Sequence, residues 1–176
     1  MTFLAGPDHT AEASAVGGGL RYVEAPAPFL PDGGASIYLF GKTVGCPDWQ
    51  REAVGLLAGA AFAGTVLNPR PSFNPDGSPY DAWRPFGWQD RNVPKCDAVL
   101  FWNPISADRI LAVYEAGLLA EPGTAVVVGG DPHDCEQRFL RGELERRLPW
   151  LPTADTLAAT VHAALAALAE RAASQR

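Results

Sequence analysis

The chain has 176 residues, a formal net charge of -6 and a sequence pI near 5.0. That length suits one domain with its own hydrophobic core. The acidic balance excludes a basic field for a nucleic-acid backbone, since the basic residues are scattered apart from Arg138, Arg141, Arg146 and Arg147.

Residues 1–19 mix small and polar types, end in three glycines and show no period, so a flexible arm is expected before a single domain over 20–176. A short strand fits 20–24, and the Pro- and Gly-rich stretch 25–34 reads as a loop. Residues 35–41, β-branched and aromatic and closed by Gly41, read as a central strand. After a turn, Asp48 is placed to cap a helix through Phe62, with Trp49, Ala53, Leu56, Leu57 and Ala60 at helical spacing. A strand over 64–68 completes a right-handed β-α-β unit with parallel strands.

Residues 69–87 carry Pro, Asn, Asp, Gly and aromatics without a period, the mark of a functional loop. A helical turn over 88–95, a buried strand over 97–102, a helix over 107–120, a strand over 124–129 and a charged helix over 136–147 follow. Thr153 is expected to cap a last helix reaching about residue 173, whose stripe of Leu157, Val161, Leu165 and Leu168 packs on the sheet or on a partner subunit. The fold class is therefore α/β, a mostly parallel five-stranded sheet flanked by helices.

Three cysteines, Cys46, Cys96 and Cys135, cannot all pair, and none forms a C-x-x-C. No leader-like start or membrane-length apolar run is evident, so a cytoplasmic protein without membrane contact is expected. His133 in the Asp131–Cys135 segment has no ligand spacing around it and reads as a turn, so no metal is expected. The glycines at 17–19 do not follow a strand as a dinucleotide fingerprint would, and no cofactor is expected.

Ligands of an α/β sheet bind outside the carboxyl ends of its strands, which directs attention to the strand 97–102 and the helix that follows. That helix carries Glu115 among Leu111, Val113, Leu118 and Leu119, apolar flanks that argue against a solvated face. A carboxylate so placed suits catalysis, while the plainer reading is an ordinary surface glutamate.

Several segments extend this reading. Ile37-Tyr-Leu-Phe-Gly41, Cys46-Pro-Asp-Trp-Gln50, Leu67-Asn-Pro-Arg70, Trp88, Cys96-Asp-Ala-Val-Leu-Phe-Trp102, Glu115-Ala-Gly117 and Val126-Val-Val-Gly-Gly-Asp-Pro132 occur in this order. In that order they resemble the nucleoside 2-deoxyribosyltransferase-like family over roughly residues 20 to 135. The resemblance implies a Rossmann-like, flavodoxin-like doubly wound fold and cleavage of an N-glycosidic bond. It assigns Glu115 as the nucleophile that attacks the anomeric carbon, with a second base or water then taking the sugar. It also implies a homodimer or higher homo-oligomer whose sites borrow from a neighbour.

Tyr38, Gly41, Asn68, Asp97 and Asn103 are then expected to shape the pocket, Trp88 to bind substrate, and Gln89 and Asp90 to contact or protonate the base, while the planar fork of Arg70 suits a phosphate or carboxylate. Plainer readings stand beside these: Tyr38 as core, Asn68-Pro69 as a turn, and Asp97 as the start of its strand. The chain departs from the family where an acid handles the leaving base. Gln89 stands there and cannot deliver a proton, which leaves Asp90, the substrate or water; Arg109 replaces a second acid six residues before Glu115.

The function expected is transfer or hydrolysis at the N-glycosidic bond of a small-molecule nucleoside or nucleotide, with Glu115 and Asp90 catalytic. One alternative is a nucleotide-binding sensor or accessory protein without turnover, which Gln89 favours. The other is an interaction module that binds another chain through the apolar C-terminal stripe and the aromatic loop.

Overall fold

The structure, a computed structural model, describes residues 14–16, 19–74, 77–78, 87–104 and 124–174. The helix expected over 107–120, with Glu115 and Arg109, and much of the aromatic loop lie outside these residues.

Among the described residues seven strands form one sheet: β1 (Ser14–Val16), β2 (Leu20–Glu24), β3 (Ser36–Gly41), β4 (Thr65–Asn68), β5 (Ala98–Asn103), β6 (Ala125–Gly130) and β7 (Thr153–Ala154). Their order is β1-β2-β4-β3-β5-β6-β7. β1 runs antiparallel to β2, and the other six strands are parallel. From β4 to β7 this is the 2-1-3-4-5 order of a doubly wound, flavodoxin-like sheet, extended at one edge.

The α/β class and parallel sheet expected from the sequence hold, with two more strands than the five anticipated. Ser14–Val16, expected within a flexible arm, pair with Leu20–Tyr22 as an edge strand. Thr153, expected as a helix cap, instead pairs with Val128 in β7. Both additions are two or three residues long, too short for alternation to show.

The strands read as continuous apolar runs because both faces of the sheet are covered. On one face, Tyr38, Phe40, Leu67, Val99, Phe101, Val126 and Val128 pack with Trp88 of α2 (Trp88–Asn92) and Leu144 of α3 (Cys135–Arg147). On the other, Ile37, Leu39, Val66, Leu100 and Val127 pack under α1 (Trp49–Gly59) and α4 (Leu157–Ser174). The C-terminal stripe packs on the sheet, with Ala164 fully buried between Val161 and Leu168. Among the described residues, no helix is long and apolar enough to cross a membrane.

The helix ends follow local chemistry. Asp48 caps α1 as expected, its carboxylate accepting from the Arg51 N–H at 3.2 Å. The helix stops at Gly59, short of the expected Phe62, because Ala61 turns left-handed at φ 55°. The Phe62 and Ala61 N–H groups then donate back to the Leu57 and Ala58 carbonyls, a Schellman closure without its usual glycine. The actual cap of α4 is Thr156, whose hydroxyl accepts from the Ala159 N–H at 3.1 Å.

Candidate functional site at the carboxyl edge

The chain leaves β3 toward β4 and leaves β5 toward β6, so the connections diverge between β3 and β5. A doubly wound sheet opens a ligand crevice at such a divergence, outside the carboxyl ends of the two strands. Gly41 and residues 42–48 form one bank, and Asn103 ends the strand on the other.

The first bank is tightly held. The Lys42 carbonyl accepts from Trp49 Nε1 at 2.7 Å, Gln50 Nε2 at 3.1 Å and Cys46 Sγ at 3.3 Å. Arg70, from the loop after β4, reaches across to the carbonyls of Pro47 and Cys46 at 3.3 and 3.4 Å, and lies 3.9 Å from the Asp48 carboxylate. Its guanidinium, expected to meet a ligand anion, thus ties two loops of this edge together. Burial pushes the Cys46 thiol up against the pull of Arg70 and Lys42, so it stays a neutral donor.

Gly41 has a reason other than a ligand. Its φ is 144°, and a Cβ there would overlap the Trp102 carbonyl oxygen of the neighbouring strand. The bare Cα lets the ends of β3 and β5 close on each other. Tyr38, expected in the pocket, is fully buried at mid-strand, its ring 5.7 Å from that of Trp88 and 6.0 Å from that of Phe40. Trp88 is likewise core, donating its indole N–H to the Ala27 carbonyl at 2.8 Å.

Asn68 is buried and committed at the end of β4. Its amide donates to the Tyr22 hydroxyl at 2.7 Å and accepts from the Arg70 N–H at 2.9 Å. Tyr22 donates to Glu24 at 2.8 Å, and Glu24 accepts from the Ser72 hydroxyl at 2.9 Å. This polar chain pins the loop after β4 to the end of β2.

Asp97 lies at the wrong end of the sheet for a pocket residue. It precedes β5, and its carboxylate accepts from the Ser36 N–H and hydroxyl at 2.9 and 2.8 Å, joining the amino ends of β3 and β5. The length of the strand, about 3.3 Å per residue, separates it from the crevice. Gln89 and Asp90 follow Trp88 on α2, along a path from the middle of the sheet to its amino edge at Asp97. Asp90 is exposed, and no ion pair or side-chain hydrogen bond engages it among the described residues. The structure therefore does not bring Asp90 together with the carboxyl-edge residues.

Asn103 is the candidate that fits. It is 3% exposed at the carboxyl end of β5, and among the described residues no hydrogen bond engages its amide. Strand alternation puts it on the face of Phe101, and it pairs with Gly130 of β6. Two buried glutamines lie on this edge: Gln50, which belongs to the Cys46–Gln50 segment of the sequence reading, and Gln137, which was not singled out. Gln50 keeps an amide oxygen buried without a partner, and Gln137 of α3 packs on Gly130. The legible signal for Gln137 is its spacing from Arg141 and Leu144, which sets polar groups on an inward helical face.

His133 sits in a turn, its N–H donating to the Asp131 carboxylate at 2.8 Å. Among the described residues, no three His, Cys, Asp or Glu side chains gather as metal ligands would. Compared with models of known families the chain matches none, and no curated protein is significantly similar to it.

Proposed function

We propose that the chain cleaves or transfers at the N-glycosidic bond of a nucleoside or nucleotide, with Glu115 as nucleophile. One observation carries this reading: the sheet order opens its crevice at the carboxyl end of β5, and Glu115 follows Asn103 by twelve residues on the connection that leaves that strand. The ordered segments resembling nucleoside 2-deoxyribosyltransferase-like proteins supply the chemistry for such a carboxylate.

In the proposed reaction the Glu115 carboxylate forms a bond to the anomeric carbon as the carbon–nitrogen bond breaks. The electron pair leaves with the base nitrogen, which takes a proton. Water or a second base then attacks the same carbon and frees the carboxylate, losing a proton in turn. Solvent supplies the leaving-group proton, since Gln89 has none to give and Asp90 lies on the path toward the amino edge. Asn103, whose amide has a donor and an acceptor that no hydrogen bond engages among the described residues, orients the sugar or base. No cofactor enters this scheme, and the working form is a cytoplasmic homo-oligomer.

The test is base release followed by chromatography over a panel of nucleosides, deoxynucleosides and their monophosphates, with and without an acceptor base, beside Glu115→Ala. Release or exchange abolished in the variant supports the reading, and dependence on added base distinguishes transfer from hydrolysis. The second reading, a nucleotide binder without turnover, is favoured by Gln89 and by the outward position of Asp90. It predicts thermal stabilisation by a nucleotide with no base released.

A further inference from the structure

At the carboxyl end of β6 a small open recess lies between β6, α3 and β7. We infer that it binds a small oxyanion, a phosphate or carboxylate group, held by the Arg138 guanidinium and the Gln137 side-chain amide.

The wall is built for such a group. Gly130 has no side chain, and Gln137 occupies the space a Cβ would need. Gln137 is only 6% exposed and lines the recess, yet among the described residues no hydrogen bond engages its side-chain amide. Its amide is not among the fully enclosed polar atoms that lack a partner, so it meets the solvent of the recess, which a ligand can displace. One turn of α3 carries Arg138 and Arg141 on the same wall. Asp155 holds Arg141 in an ion pair, while Arg138 is exposed and no ion pair engages it among the described residues.

The sign of the ligand follows from what lines the recess: two arginines and an amide, with no carboxylate among its described lining residues. Asp155 is engaged by Arg141, and two further acids nearby accept from backbone N–H groups. Asp131 accepts from the His133 N–H, and Asp134 accepts from the Gln137 N–H at 3.4 Å as it starts α3. Arg138 offers the charge-assisted bonds, and the Gln137 NH₂ adds a neutral donor from the floor. Gly130 pairs with Asn103, so an anion held there sits beside the crevice whether or not the chain turns over a nucleoside.

The test is calorimetric titration of the full chain with inorganic phosphate and with succinate in chloride buffer. Saturable binding of one equivalent is expected, weakened roughly tenfold or more by Arg138→Ala and by Gln137→Leu, and unchanged by Arg147→Ala on the exposed end of the same helix. The tighter probe of the two identifies the ligand as phosphate-like or carboxylate-like. No saturable heat with either probe, binding by Arg138→Ala equal to wild type, or an equal loss in Arg147→Ala would each overturn the inference. Should Gln137→Leu impair folding, Arg138→Ala, at an exposed position, still decides it.

Discussion

Tyr22 keeps its proton because burial pushes its hydroxyl well above the usual phenol value, and the neighbouring Glu24 carboxylate adds to that push. The hydroxyl can therefore donate to Glu24 while accepting from Asn68. Removing it with Tyr22→Phe strands a buried Asn68 donor, so chemical denaturation is expected to show a loss of about 1–3 kcal/mol. A second substitution bears on the chemistry. General acids contribute about 10²–10⁴-fold to rate, so Asp90→Asn is expected to leave base release within about twofold of wild type in a steady-state assay. A loss of that larger size would restore Asp90 as the proton donor. Among single residues the sequence revealed chemistry better than place. Asn103 was read as a pocket residue just past a strand expected to end at Trp102, and it is the last residue of that strand. Asp97 was not a pocket residue, and its position at the start of the same strand already implied the opposite edge. Tyr38, Asn68 and Arg70 carry polar groups suited to a ligand, but their partners lie on other segments, and no local pattern reports those partners.

Among the described elements, those long enough to show a period were read correctly, as was the helical turn over 88–95, whereas the two shortest strands were not. α1, α3, α4 and the five longer strands follow from apolar spacing, whereas β1 and β7 are defined by the strands they pair with. The end of α1 escaped because its left-handed residue is Ala61, where a glycine would have marked the stop. Holding an alanine left-handed costs about 1–2 kcal/mol, partly offset by its stiffer unfolded chain. Ala61→Gly is thus expected to raise stability by about 0.5–1 kcal/mol in a denaturant titration. Thr156→Ala, which removes the cap of α4, is expected to lower it by about 1 kcal/mol.

For the whole molecule, the order of strands is what turns a list of elements into a site, and that order is not written in any one segment. The sequence gives parallel β-α-β units. Only the packing of α1 and α4 on one face and α2 and α3 on the other fixes where the connections diverge. Packing also sets the response to alkali. Burial, helped by the Asp97 carboxylate, pushes the Cys96 thiol from its ordinary 9.0 up to about 12. Between these values the unfolded chain releases a proton that the folded chain keeps. The stability this group contributes is therefore full below pH 9 and is lost as the pH rises toward 12. Tyr22 and Cys46 act with the same sign. Denaturation midpoints measured from pH 8 to 11 are expected to fall, and to fall less steeply in Cys96→Ala.

The central claim is that Glu115 makes a bond to a sugar. Intact-mass spectrometry of the chain quenched during turnover, with peptide mapping of any heavier species, tests that claim most directly. A fraction heavier by one sugar unit, mapped to Glu115 and absent together with base release in Glu115→Ala, is the predicted result. Base release that persists in Glu115→Ala, or a sugar carried on another residue, would contradict it.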